Sequence, residues 1–548
     1  MTAPTFKSFM DEGRALLDAR IAKMEESLRA LKQERNTYCH AVRVPPEILT
    51  HIFLDVIDDI YESNGERTQQ FYPPHVCRYW YEVALCSQEY WRYQPLYSGG
   101  ELGPPDLLER ARGRPLHLWG RFSANDQYWD SPGRDYILSQ AESVNICLYH
   151  HFDTDDVDIP RFMKTFLKGC APNLRSLTLS AESVNWVTIP EDTAAFGGNF
   201  PCLRFLSLEC AEWSWRTPIF VSPLTHLILF AIIPWDDACI ETLQQLSSLR
   251  YLDLAILTEP DGADTSFEPP TDPPSVKLEN LEVLRLHGAV RLLGVLALEL
   301  NIPLSASISF TADYPDDVLH REPFELEPLL LWLSRHLQRL DQASIPVHTM
   351  YIDSGGGINS SGTLRFHYSP DSIIDPVKLP KAESALPHLE IELYRESYRV
   401  FFNAILPMII LKLQLSTVQA LCLNNLNVFP FDNEAALRSL AGVQALCFSA
   451  TGTMNMPSGI ISATRRHQGV MLLPALKTVV LHKTDFDRKF EDVISFFAER
   501  SKGGHPVEKV YLSQCKHVQE ECLQTLRQHA STVEWDGLDL SKIGNVDG

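Results

Sequence analysis

One short phrase keeps returning in this chain. NLRSLTL sets leucines at Leu174, Leu177 and Leu179, and the same LxxLxL spacing recurs as CLRFLSL (Leu203, Leu206, Leu208), PLTHLIL (Leu224, Leu227, Leu229), SLRYLDL (Leu249, Leu252, Leu254) and NLEVLRL (Leu281, Leu284, Leu286). Looser copies follow at Val347-Met350-Ile352, Leu386-Leu389-Ile391, Val418-Leu421-Leu423, Val443-Leu446-Phe448, Leu476-Val479-Leu481 and Val507-Val510-Leu512. Two weaker ones, PLHLW near Leu116 and VNICLY near Val144, come before.

Copies standing roughly 20–30 residues apart match the period of leucine-rich repeats. Each phrase supplies a short strand whose alternate residues enter a shared core. Amphipathic helices are expected between them, in DDACIETLQQLSS, FELEPLLLWLSRHLQ and FEDVISFFAERSKGG. Prolines just before the strands (Pro172, Pro201, Pro223, Pro387, Pro474, Pro506) end a helical turn and start extended chain. The expected fold class is therefore α/β: a solenoid with a curved parallel sheet and outer helices over residues 144–540. Long loops are expected near 258–277 and 311–385, where Pro, Gly and acidic residues interrupt the grammar.

A different pattern precedes the repeats. Between Arg14 and Tyr38, the apolar residues Leu17, Ile21, Met24, Leu28, Leu31 and Tyr38 follow steps of four and three, a heptad seam within a helix over residues 10–40 that after Leu17 misses only at Arg35. The seam packs on its own protein or joins two copies. Pro45-Pro46 then break the helix, and Pro46 with Glu47 suits the first turn of a new one. Ile48, Leu49, Ile52, Phe53, Val56 and Ile57 form one broad apolar stripe on it. HVCRYWYEVALCSQEYW is a further helical stretch, which closes at Trp91 a small all-helical unit over residues 41–97. Residues 98–143 read as a linker with a first irregular repeat. A unit this small buries little by itself, so its apolar residues either cap the first repeat or meet a partner.

The net charge of −22 repels phosphate and anionic lipid, which argues against nucleic acid and membrane surfaces as partners. The 12 cysteines are scattered without a CxxC pair, as expected in a reducing, intracellular setting, cytoplasmic or nuclear. No apolar run is long enough to span a bilayer.

Motifs that carry chemistry are sparse. DSGGGINSSG lacks the spacing and the lysine of a phosphate loop, and HHFDTDDVD misses the calcium-loop pattern because Val157 stands at a ligand position. Cys515, His517 and Cys522 could form half a zinc site, but no second half has suitable spacing. The expectation is a chain with no catalytic residue, metal or cofactor.

VPPEILTHIF resembles the LPxEILxxIF opening of the F-box, and HVCRYWYEVALCSQEYW resembles its second half, VCRxW followed by a closing Trp. The match runs from about Val44 to Leu96. A heptad helix ahead of it and irregular leucine-rich repeats behind it are similar to the large F-box families of mushroom-forming fungi. The resemblance implies a non-catalytic substrate receptor of a cullin–RING ubiquitin ligase: the F-box binds the Skp adaptor, and through it a cullin, while the repeats hold a protein substrate. Pro45, Pro46, Glu47, Ile48, Leu49, Ile52 and Phe53 align with the first half, and Val76, Cys77, Trp80 and Trp91 with the second. Val44 replaces the usual Leu, and YESNGERTQQFYPP lengthens the connection between the halves. The alternative is a leucine-rich scaffold or sensor unrelated to ubiquitin, dimerised by the seam.

Overall fold

The computed structural model describes residues 6–62, 72–95, 109–123, 134–149, 171–181, 187–189, 200–209, 211–220, 223–231, 237–256, 276–313, 326–354, 362–368, 388–394, 406–413, 415–424, 434–449, 471–539 and 541. The acidic HHFDTDDVD and glycine-rich GGGINSS stretches lie outside these, as does the proline-rich stretch expected as a loop near 258–277 up to residue 275; its last two residues are described. The chain is α/β with mostly parallel strands, and it divides into two compact units. The first comprises Met1–Cys210 with Thr217–Ile219, the second Ala211–Arg216 with Phe220–Gly548.

The first unit begins with α1 (Phe6–Thr37), one unbroken helix of 32 residues. Then come α2 (Pro46–Glu62), α3 (Tyr72–His75) and α4 (Arg78–Cys86), followed by β1 (Tyr93–Pro95), β2 (Leu116–Ser123), α5 (Arg134–Gln140), β3 (Ala141–Tyr149), β4 (Ser176–Ala181), β5 (Val187–Ile189) and β6 (Phe205–Glu209). β1 pairs with β2, β2 with β3, β3 with β4 and β4 with β6, all in parallel. PLHLW and VNICLY, the weakest repeat candidates, are thus regular strands of this ladder.

The second unit holds β7 (Ala211–Trp213), β8 (His226–Ala231), α6 (Asp237–Gln245), β9 (Tyr251–Ile256), β10 (Val276–Lys277), β11 (Val283–Ala289), α7 (Val290–Glu299), β12 (Leu300–Asn301) and β13 (Ser307–Asp313). It continues through α8 (Glu327–Gln342), β14 (Val347–Ser354), β15 (Gly362–Tyr368), β16 (His388–Tyr394), α9 (Leu406–Leu413), β17 (Ala420–Asn424), α10 (Glu434–Ser439), β18 (Ala445–Ser449), β19 (Thr478–His482), α11 (Phe486–Lys502), β20 (Val507–Ser513), α12 (Glu520–Arg527) and β21 (Ala530–Trp535). Strands β8, β9, β11, β13 and β16 pair side by side in parallel, as do β14, β17, β18, β19, β20 and β21. β15 runs antiparallel to both β14 and β16, an inserted hairpin strand that the repeat spacing does not announce.

Register follows the leucines. Leu227, Leu252, Leu284 and Ile308 face one another along the strands, and so do Leu229, Leu254, Leu286 and Phe310. All of these side chains are buried, and each contributes about 2 kcal/mol relative to an exposed position. One backbone bond repeats beside them. The residue after the first apolar position donates its N–H to the equivalent carbonyl one strand back: Glu282 to Arg250, Gln444 to Gln419, Lys477 to Gln444 and Glu508 to Lys477, at 2.7–2.8 Å. The same geometry is thus built repeatedly, although the connecting lengths vary.

Candidate functional site

In the helical part of the first unit, the apolar stripe of α2 splits into two rows. Side chains four apart stack on one helical face. Leu49, Phe53 and Ile57 turn inward and join Val83, Ala84, Tyr90 and Trp91 in a closed core. Ile48, Ile52 and Val56, each one position earlier, turn outward and are 50%, 38% and 37% exposed. The core is fastened by indole and phenol donors: Trp91 Nε1 to the Ala84 carbonyl at 2.7 Å, Trp80 Nε1 to Ala41 and Tyr79 Oη to Val44, both at 2.9 Å. The last two bonds hold α4 against the turn just before Pro45, so the proline pair has a defined place beside the exposed row.

The residues aligned with the F-box therefore fall into two groups. Leu49, Phe53 and Trp91 are core, and Cys77 and Trp80 are half-buried. Pro45, Pro46, Glu47, Ile48, Ile52 and Val76 are exposed. Val44 is half-buried and packs against this core.

The same unit is bound to its first strands. Arg92 donates to the Pro115 carbonyl at 2.9 Å and pairs with Glu142 at 2.8 Å. Asn145 donates to the Tyr61 carbonyl at 2.8 Å, and the Tyr61 and Ser143 hydroxyls bond directly. Tyr93 stacks on His117 at 4.6 Å between ring centres, and burial holds the His117 pKa below its ordinary value. Capping the strands and displaying apolar surface are compatible here, because different faces do each.

A second surface lies in the second unit, on the sheet face opposite the leucines. The residue between the last two apolar positions of each phrase points there. In β9 this is Asp253, whose side chain is 5% exposed. It accepts from Tyr251 Oη at 3.1 Å, contacts His287 Nε2 at 3.0 Å and lies 3.9 Å from Arg285. Arg285 also sits over the Tyr251 ring at 5.6 Å. Burial raises the Tyr251 pKa, and the Asp253 charge raises it further, so the phenol stays protonated as a donor. Farther along, Tyr351, Cys422, Cys447 and Val480 stand in register on the same face and form a buried apolar row, with Tyr511 at its edge.

None of these residues was singled out from sequence. The available signal was the middle letter of LxL: Asp in LDL, Arg in LRL and Cys in LCL and LCF.

The suggested half zinc site does not assemble as one. The Cys515 thiol donates to the Leu481 carbonyl at 3.2 Å, and burial pushes its pKa up to about 12. His517 pairs with Asp485 at 2.9 Å, and this hydrogen bond raises its pKa. Among the described residues no group of three His, Cys, Asp or Glu is disposed to hold a metal ion, and no helix is long and apolar enough to cross a membrane. No protein-family model matches the chain, and no curated protein matches it at a significant level.

Proposed function

We propose that the chain is the substrate-recognition subunit of a cullin–RING ubiquitin ligase. In this reading residues 41–97 form an F-box that docks the Skp adaptor, and the LxxLxL strands form an irregular leucine-rich-repeat solenoid that holds a protein substrate. The observation that carries it is the outward row Ile48, Ile52 and Val56 beside Pro45-Pro46. A helical unit whose core is already closed by Leu49, Phe53 and Trp91 has no internal need for that second apolar row. A partner laying a helix or loop across it would remove this surface from water.

The opposite face of the repeats supplies chemistry suited to holding a protein. Tyr and Arg dominate the energetics of protein interfaces, and Tyr251 and Arg285 stand together there around the Asp253 carboxylate. No catalytic group is required of the chain. Holding a substrate near a ubiquitin-charged enzyme raises their effective concentration.

The test must use the outward residues. Leu49→Asp would place a charge in the core and unfold the unit, so loss of binding would say nothing about docking. Ile48→Asp with Ile52→Asp changes exposed positions only. The double variant is expected to lose co-purification with a Skp adaptor while its thermal melt stays within a few degrees of the parent. Retained co-purification would overturn the docking assignment.

A further inference from the structure

We infer that two copies of the chain associate through α1 in an antiparallel coiled coil. This goes beyond adaptor docking and does not depend on it. Leu17, Ile21, Met24, Leu28 and Leu31 are 60%, 49%, 59%, 51% and 63% exposed on a helix of 32 residues. The described residues of the chain do not cover the seam, and a second copy of the same helix carries the matching heptads.

Charge selects the orientation. With Ile21 and Leu28 at the a positions, Arg14 and Arg35 also fall at a, and Leu17, Met24, Leu31 and Tyr38 fall at d. A parallel pair faces a with a, which puts Arg14 on Arg14 and Arg35 on Arg35, like charges at both ends. An antiparallel pair faces a with d. Ile21 then meets Leu31, Leu28 meets Met24 and Arg35 lies over Leu17, while Arg14 falls level with Tyr38, the first residue past the end of α1, whose ring is a favourable neighbour for a guanidinium.

The flanking positions agree. The e residues are Asp18, Glu25 and Lys32, and the g residues are Arg20, Ser27 and Glu34. In the antiparallel pair e faces e and g faces g, so Asp18 meets Lys32 of the second copy and Arg20 meets Glu34 of the second copy, each twice by symmetry. Glu25 meets its own copy, but Arg29 already lies 3.6 Å from it. The parallel pair offers only Arg20 opposite Glu25. Sliding the antiparallel pair by one heptad either sets Asp18 against Glu25 or shortens the overlap.

Sedimentation of the full chain tests this without any adaptor. A dimer is expected at micromolar concentration, and Ile21→Asp with Leu28→Asp, both exposed, should give a folded monomer with an unchanged melt. Lys32→Glu should weaken the dimer about tenfold by facing Asp18 with like charge. Adding Asp18→Lys should restore it. In a parallel pair Lys32 faces Ser27 and Asp18 faces Gly13, so neither change would register. A monomeric parent chain, or a Lys32→Glu variant that associates as the parent does, overturns the proposal. Ile48→Asp with Ile52→Asp should leave the dimer intact, which keeps this result separate from the adaptor test.

Discussion

Arg500 shows how a single buried cation can be structural. It is 2% exposed, donates to the Leu472 carbonyl at 2.9 Å and to the Leu473 carbonyl at 3.0 Å, and lies over the Phe496 ring. Burial lowers its pKa to about 10, which leaves it charged at neutral pH. Leu473 holds a φ of 51°, a left-handed conformation that costs a leucine about 1–2 kcal/mol. The guanidinium therefore clamps a strained turn just ahead of β19. Arg500→Ala would strand both carbonyls and leave a cavity, and is expected to cost about 3 kcal/mol in urea unfolding of the second unit. Arg500→Lys should recover part of that, since an ammonium can serve one carbonyl but not both in the planar fork.

His336 makes a different contribution. It stacks on Trp332 at 4.9 Å, its ring nitrogens have no partner among the described residues, and burial lowers its pKa to about 4. The folded state thus disfavours the cation. Its contribution is complete above the unfolded value near 6.5 and is lost as pH falls through about 4. The loss amounts to about 3 kcal/mol. His336→Phe keeps the stacking and should flatten the fall in urea midpoint between pH 6.5 and pH 4; a parallel fall in both proteins would refute this. His367, also lowered to about 4 by burial, with the His388 and Arg365 charges adding to it, shifts in the same direction.

At the scale of elements, the contact between α7 and α8 depends on Gly294. A Cβ there would come within 2.3 Å of the Leu329 backbone nitrogen and 2.7 Å of the Pro328 carbonyl carbon. These are backbone atoms of the facing helix and cannot turn aside. Gly294→Ala should cost about 1–3 kcal/mol by forcing the helices apart, although alanine is the better helix former. A melting temperature equal to or above the parent's would show that the helices have slack. The composition of LLGVLALEL suggests a helix but not this approach, because close packing is a property of two elements. The same limit explains the rest of the comparison. The strands of the LxxLxL phrases were legible because each LxL pair keeps strand alternation and the phrase recurs, and α6, α8 and α11 because their apolar residues keep the helical period. The two rows of α2 were not separable, since Ile48 and Leu49 are equally apolar and only the position of α4 decides which turns inward. β15 escaped because its partners were recognisable only as parallel strands, and a hairpin between them leaves no mark on their spacing.

At the scale of the whole molecule, similar strand-and-helix elements that within each compact unit contact mostly their neighbours should respond to damage locally. In such an array stability is close to a sum of element and nearest-neighbour contributions, and a chain that divides into two compact units need not unfold as one. Arg500→Ala provides the probe, because its hydrogen bonds lie wholly between α11 and the turn before β19. Amide hydrogen exchange in the variant should rise in β18, β19, β20 and β21, which pair in sequence on either side of β19, the strand that follows the turn. The helical core at Leu49, Phe53 and Trp91 should exchange as in the parent, since sub-global opening follows contiguous packing. A rise of similar size in both places would mean that the chain opens as one cooperative body, and the surfaces proposed for docking and substrate holding could not then be altered independently. Local opening would mean the reverse: variants on the β9–β11 face could be tested for the proposed substrate holding without disturbing the Ile48–Ile52 row, and the outward row could be removed without loosening the parallel strands.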